Sequence, residues 1–241
     1  MDAEPSLFGL LGWGANGWSD ELAYGLLLTL QISTCSYFFA FLLGLLGAGA
    51  KLSGNKVLYR IGDLYTTLVR AIPELLLIIL IYYAGGSAMK AVLVGIGIVE
   101  EDFQVSAFAA VVVALGSIYG AYLTDVLRGA IEAIPKGQIE AARAYGMRGA
   151  LRFRRIVFPQ MIRYAIPGMG NQWLNITKDS ALVSAVGAFE VLKNVTIAAS
   201  ATKEYLFFLS IAGLIFLCLT IVSMTVLARI EKRANRGVRR V

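Results

Sequence analysis

Five stretches of this chain are long and apolar enough to cross a lipid bilayer, and that leaves few folds open to it. A hydrocarbon core about 30 Å thick takes about 20 mostly apolar residues per helix, and a helix satisfies its own backbone groups inside lipid. The stretches run approximately Leu22–Ala50, Ile61–Ala84, Val105–Leu127, Pro167–Ala199 and Tyr205–Leu227. With 58% hydrophobic residues, 16% charged residues and a mean hydropathy of +0.70 over 241 residues, the chain is too apolar for a soluble domain of its size. The expectation is an all-α membrane protein with about five transmembrane helices, forming a single transmembrane domain over residues 1–241.

Two regions depart from simple spans. Lys178, Asp179, Glu190 and Lys193 interrupt the fourth stretch, which predicts a shorter or broken membrane helix followed by an exposed helical extension. Between Gly85 and Asp102 the pattern predicts a loop carrying a short interfacial helix, with Val92, Leu93, Ile96 and Val99 on one face. The leading residues Met1-Asp2-Ala3-Glu4-Pro5 are acidic and lack the basic region and cleavage site of a signal peptide, so the first helix is expected to remain.

The distribution of lysine and arginine sets the expected orientation. Before the first stretch there are none, whereas the first connection holds Lys51, Lys56 and Arg60. The second connection has Lys90 against Glu100, Glu101 and Asp102. The third holds Arg128, Lys136, Arg143, Arg148, Arg152, Arg154, Arg155 and Arg163, and the tail carries Arg229, Lys232, Arg233, Arg236, Arg239 and Arg240. The N-terminus is therefore expected outside, with the basic loop and C-terminal tail in the cytoplasm. The net charge of +6 follows from this asymmetry. Without a basic groove interleaved with aromatics, nucleic-acid binding is not expected.

Several chemistries are excluded. The chain has no histidine, which removes imidazole catalysis and the commonest metal ligand. Cys35 and Cys218 lie in apolar runs and read as small hydrophobes. An intramembrane enzyme would need a nucleophile-base pair or a metal-ligand cluster, neither of which is legible. No Gly-x-x-x-x-Gly-Lys-Ser/Thr stretch occurs, so the chain is not expected to bind ATP by a P-loop.

The third connection is the largest polar insert. Pro135 and Gly137 set it off from the third span, and Gln138 to Tyr145 are good helix formers with Ile139, Ala142 and Tyr145 spaced to share a face. Gly146 and Gly149 can supply a turn, and Leu151 to Phe158 predicts a second short helix ended by Pro159. The result is a helix-turn-helix elbow whose alanines allow another backbone to approach.

Glu140-Ala141-Ala142, three residues, Gly146, nine residues, Ile156, one residue, then Phe158 and Pro159 resembles the signature loop of permease subunits of ATP-binding-cassette importers, with Phe158 in place of the usual leucine. Further along, Arg70-Ala71-Ile72-Pro73, Gly120-Ala121-Tyr122, Arg128-Gly129-Ala130, Pro135-Lys136-Gly137-Gln138, Pro167 and Lys178-Asp179-Ser180-Ala181-Leu182-Val183-Ser184 look like polar amino-acid permeases of the type I importer class. Within that class the chain is similar to the subunits serving histidine, lysine, arginine and ornithine, and to their octopine and nopaline relatives.

The resemblance implies the type I importer permease fold in a bacterial inner membrane. It also implies that Glu140, Ala141, Ala142, Arg143 and Gly146 lie on a coupling helix that docks on an ATPase subunit, within a coupling loop of residues 138–159. The implied partners are ATP-binding-cassette ATPase subunits, a second identical or homologous permease subunit, a periplasmic substrate-binding protein, and membrane lipid. ATP and magnesium would be used by the ATPase chain, with no cofactor and no enzymatic activity here. Contacts with the binding protein are expected from the Gly85–Gln104 and Glu190–Glu204 loops.

Ionisable residues in a span are default functional candidates. Arg70 and Glu74 are one turn apart around Pro73, which fits either an internal ion pair in a kinked helix or a carboxylate facing a cationic substrate. In the basic-amino-acid permeases that the chain resembles, an acid follows this proline. Asp179 lies twelve residues beyond Pro167 and Glu74 thirteen beyond Ile61, so both would rise roughly 18–20 Å from the cytoplasmic side. Were the two helices neighbours, a substrate pocket would form from Glu74 and Asp179 with Asn171, Gln172 and Ser180 as hydrogen-bonding groups. Asp179 can alternatively cap a helix or pair with Lys178 or Arg70.

Asp125 and Arg128 are expected to pair, Asp63 to be hydrated near the inner boundary, and Gly44, Gly47 and Gly49 to permit close helix packing. The combined expectation is an ATP-driven permease for basic amino acids or opines working by alternating access. The alternative is an ion-coupled secondary transporter or channel, against which stand the elbow and the lack of an inverted repeat.

Overall fold

The first apolar stretch extends beyond its hydrophobic limits at both ends. In the computed structural model, which describes residues 7, 9–14, 17–98, 100 and 106–235, a 34-residue helix α1 spans Ser19–Leu52. There follow α2 (Lys56–Ala71), α3 (Glu74–Leu80), a π turn at Ile81–Gly85, α4 (Gly86–Gly95), α5 (Ala107–Glu132), α6 (Lys136–Ala144) and α7 (Gly149–Arg152). A second π turn at Phe153–Val157 leads into α8 (Phe158–Asp179), a 3-10 segment at Ser180–Val186, α9 (Val191–Thr202) and α10 (Tyr205–Ala234). Among the described residues there is no strand.

Four helical stretches have the length and composition to cross a membrane: Ser19–Leu52, Glu74–Gly95, Ala107–Glu132 and Tyr205–Ala234. A fifth arises if Gly149–Val186 and Val191–Thr202, bent by 52° at the break between them, are one span. The broken fourth span is thus as expected, but its continuation is not an exposed extension. Val191, Asn194, Val195, Ala198 and Ala199 of α9 are all buried.

The second span is displaced from its expected position. Asn55 opens α2 by accepting hydrogen bonds from the amides of Val57 (2.8 Å) and Leu58 (3.4 Å). Ile72 closes it in extended backbone (φ −106°, ψ 137°), as expected before a proline. The apolar helix then runs from Glu74 to Gly95, so the segment expected as a separate interfacial helix belongs to this span. Val99, Glu101, Asp102, Arg236, Arg239, Arg240 and Met1–Pro5 lie outside the described residues.

The chain forms two compact units. One comprises Met1–Ser36, Glu74–Leu115 and Asn175–Ile221. Its core joins Leu22, Val191, Val195, Ala198, Ala199, Phe208 and Ala212, with Trp18 edge-on to Phe208 at 6.5 Å. Polar bonds fix α9 against α1: Asn194 Nδ2 donates to the Glu21 carbonyl (2.7 Å), and the Val191 amide donates to Thr29 Oγ1 (3.3 Å). Such bonds supply cohesion that lipid, itself apolar, does not provide. In the same unit α3 packs on the 3-10 segment Ser180–Val186.

The other unit comprises Tyr37–Pro73, Gly116–Leu174 and Val222–Val241. Ala48, Leu127, Ala130, Ile134, Met161 and Ala165 form a core with Ile139 packed against it. The expected glycine packing holds at two positions of three. A Cβ on Gly44 would lie 2.8 Å from Leu123 Cβ, and one on Gly47 would overlap Thr124 Oγ1, whereas at Gly49 nothing lies within 4 Å. Helices α1 and α5 therefore meet backbone to side chain along Gly44 and Gly47.

Candidate functional site

The elbow is built by a proline at its start and a glycine at its end. Pro135 sits at the N-cap of α6 with φ −56° and ψ 125°, where its missing amide would have had no helical partner. At the other end the Met147 amide donates to the Ala142 carbonyl (3.0 Å) and the Gly146 amide to the Arg143 carbonyl (2.9 Å), with Gly146 at φ +70°. This hydrogen-bond pattern ends a helix with a left-handed residue, which glycine supplies without steric strain. Gly149 does not share that role; it opens α7 with ordinary helical backbone.

Ile139 and Ala142 hold α6 to the core, Ala142 being 4% exposed. Tyr145, expected on the same face, is instead 86% exposed. Its position at the C-cap takes it off the helical register. Glu140, Ala141, Arg143, Tyr145 and Gly146 are all exposed, so the described chain leaves this side of the elbow uncovered.

Pro159 does not end a helix, contrary to expectation. It is the second residue of α8, directly after the π turn in which the Phe158 amide donates to the Phe153 carbonyl. The wider turn shifts the carbonyl register just where proline lacks a donor, so the helix continues. Gln160 Nε2 ties the two limbs together by donating to Gln138 Oε1 (2.6 Å) and to the Ile156 carbonyl (2.9 Å).

The same unit holds a charged cluster. Lys51, its side chain 3% exposed, donates to Thr66 Oγ1 (2.7 Å) and Asp125 Oδ1 (3.1 Å) and lies 3.4 Å from Asp63 Oδ1. Asp125 Oδ2 accepts from Arg70 Nη1, and the Arg70 guanidinium lies over the Tyr122 ring, 5.4 Å from its centre. The expected Asp125–Arg128 pair is therefore replaced: Asp125 joins Lys51 and Arg70, and Arg128 joins Glu132 at 2.9 Å. Asp63, half-exposed, faces Lys51 rather than only water. These six charged residues line an open cavity of about 750 Å³.

The residues expected to hold substrate are placed as follows. Glu74, half-buried, is the first residue of α3, so the helical rise counted from Ile61 does not apply across the Pro73 break. In its unit α3 packs on Ser180–Val186, and Asp179, also half-buried, immediately precedes that segment. Asp179 makes no side-chain capping hydrogen bond. Ser180 is fully buried and donates to the Thr177 carbonyl at 2.7 Å, which leaves its oxygen as an acceptor. Of the two residues in the other unit, Asn171 lines a cavity of about 250 Å³ with Leu227 and Glu231 of α10. Gln172 Oε1 is buried and accepts no hydrogen bond from the described chain. Among the described residues no cluster could hold a metal ion.

Comparison with known proteins gives this arrangement a family. Residues 40–236 match the model of the binding-protein-dependent transport system inner membrane component. The nopaline transport system permease protein NocQ of Agrobacterium fabrum is 44% identical over 95% of this chain and 98% of its own. The histidine/lysine/arginine/ornithine transport system permease protein HisQ of Salmonella typhimurium is 45% identical over 93% of this chain and 97% of its own. A crystal structure of an amino acid ABC transporter with histidines superposes with a TM-score of 0.77 at 29% identity, covering 90% of this chain and 95% of that one. The family match and these likenesses cover nearly the whole chain, and the chain belongs to the inner-membrane permease components of binding-protein-dependent transport systems.

Proposed function

We propose that this chain is the permease subunit of an ATP-driven importer that moves basic amino acids or opines across the bacterial inner membrane by alternating access. The observation that carries the reading is the 44–45% identity, over nearly the whole chain, to permeases named for nopaline and for histidine, lysine, arginine and ornithine. These substrates share a cationic or guanidinium-bearing side chain next to an amino-acid backbone.

In this reading the N-terminus is outside and the C-terminus inside. ATPase subunits dock on the exposed side of α6 around Glu140, Ala141, Arg143 and Gly146, while Ala142, expected among them, faces the chain's own core. A second permease subunit completes the pathway, and a periplasmic binding protein delivers substrate. Closure of the ATPase dimer displaces the elbow, and packed helices convert that displacement into opening of the pathway. Glu74 and Asp179 supply negative charge for the cationic end, and Ser180, whose oxygen remains an acceptor, offers a hydrogen-bonding group beside them.

The test is uptake of labelled arginine, histidine, glutamine and leucine in cells with and without this chain, its partner subunits present, alongside Glu74→Gln. Chain-dependent uptake limited to cationic substrates and lost in the variant supports the carboxylate pocket. Uptake of neutral amino acids at the parental rate in Glu74→Gln removes Glu74 from the pocket.

A further inference from the structure

Helix α2 is seated chiefly around one side chain of α1, that of Lys51. Of its sixteen residues only Gly62 and Thr66 are buried, and both rest on Lys51. A Cβ on Gly62 would lie 3.2 Å from Lys51 Cγ, and Thr66 Oγ1 accepts from Lys51 Nζ at 2.7 Å. The remaining ties are also polar: Asp63 faces Lys51, the Tyr65 hydroxyl donates to the Ser117 carbonyl of α5, and Arg70 donates to Asp125. Val57, Leu58, Ile61, Leu64 and Leu68 of α2 point away, each at least 43% exposed.

Asp125 is where these ties converge. One carboxylate oxygen accepts from Lys51 of α1 and the other from Arg70 of α2, so a single residue of α5 holds both of these helices. Helix α5 ends at Glu132, four residues before α6 begins, and the Ile134 side chain between them is buried in the same core as Leu127 and Ala130. Movement of the elbow therefore reaches α5 through packed residues, and reaches α2 through an ion-paired joint. Lys51, its side chain 3% exposed, resists separation from Asp125, since a buried charge without its partner is strongly unfavourable, and the half-exposed Arg70 adds a weaker hold.

We infer that Asp125 is a positioning residue for transport: with Lys51 and Arg70 it forms the joint that makes α2 follow α5 when the elbow moves. Asp125 touches no substrate in this scheme; it acts through α2, which ends three residues before Glu74. The inference rests on the elbow being the site of ATPase coupling. A merely structural role would reduce transport and ATP hydrolysis together, whereas a broken joint separates them.

The experiment uses the complete importer in proteoliposomes, reading arginine uptake and ATP hydrolysis stimulated by the liganded binding protein. Asp125→Asn is expected to keep stimulated hydrolysis while uptake per ATP falls about tenfold, within the usual range for coupling between sites. Asp125→Glu, which keeps both acceptor oxygens, is expected to recover most of that ratio. Arg70→Gln, at a half-exposed position, keeps the Lys51–Asp125 pair and is expected to lose the ratio only in part. A parental ratio in Asp125→Asn, or a proportional fall of both activities, overturns the inference. Should Asp125→Asn not assemble, Arg70→Gln decides: a parental ratio there overturns the inference and a lowered ratio supports it. Gly146→Trp, measured in parallel, reports on the elbow alone, so uptake surviving in that variant removes the coupling reading independently of Asp125.

Discussion

Gln160 donates its side-chain amide to Gln138 Oε1 across 2.6 Å and so latches the start of α8 to the start of the elbow helix, 22 residues earlier. A hydrogen bond of this kind contributes about 1 kcal/mol net, which corresponds to roughly a fivefold change in a local opening equilibrium. Gln160→Leu removes the donor while Ile139 and Ala142 still hold α6 to the core. Trypsin cleavage at Arg143 and Arg148 in inside-out vesicles is expected to quicken roughly fivefold. An unchanged cleavage rate would show that the latch contributes nothing to elbow order.

Gly146 separates backbone strain from docking. Its φ of +70° disfavours any side chain, yet a Cβ there meets nothing within 4 Å of its own chain. Gly146→Ala should cost about 1–2 kcal/mol at the helix end and leave the permease inserted. Gly146→Trp should insert to the same level, because its own chain leaves the space open, but lose uptake and ATPase co-purification. Normal co-purification with the tryptophan variant would place the ATPase contact elsewhere.

How far the sequence reaches is clearest at α2. Val57, Leu58, Ile61, Leu64 and Leu68 recur at helical spacing, and next to Leu75–Ile81 they merge into one long hydropathy signal. The interleaved Asp63, Thr66, Thr67 and Arg70 and the break at Pro73 are the cues that separate an amphipathic helix from the span that follows. The charge partners failed for a different reason. Spacing within a helix offers only neighbours three or four residues away, whereas Asp125 pairs with residues 74 and 55 positions back in the chain. The first limb of the elbow, by contrast, was legible from Pro135 to Gly146, because those helix ends are written in local proline and glycine chemistry, whereas the π turn that carries the chain through Pro159 left no such local mark.

Two glycines of α1 make opposite predictions. Gly47 faces Thr124, so Gly47→Ala forces overlap with its hydroxyl and should destabilise by about 1–3 kcal/mol. Gly49 has open space around its Cα, so Gly49→Ala should be neutral or stabilise by up to about 1 kcal/mol through helix propensity. Thermal unfolding in detergent tests the pair. Thr124→Ala should restore most of the Gly47→Ala loss, since the threonine hydroxyl otherwise bonds only within its helix, to the Gly120 carbonyl at 2.8 Å. Equal effects of the two alanines would mean that α1 and α5 do not meet at Gly47.

Glu190 closes the break in the fourth span. Its carboxylate accepts the amides of Leu192 and Lys193, each at 2.8 Å, from a fully buried position at the N-cap of α9. Those amides have no other partner in a helix's first turn, so the carboxylate satisfies two donors that would otherwise be stranded beside Val191 and Gly25. Glu190→Ala strands both and should lower stability by about 2 kcal/mol, at the upper end of capping losses. Glu190→Gln keeps an acceptor oxygen for one amide and should lose about half as much. Asp at this position is a common capping residue, but its shorter side chain must draw α9 inward, and the Val191 contact with Thr29 at 3.3 Å sets how far it can move. Thermal unfolding of the three variants ranks them, with alanine lowest, and an alanine variant as stable as the parent would remove Glu190 from any role in holding the break.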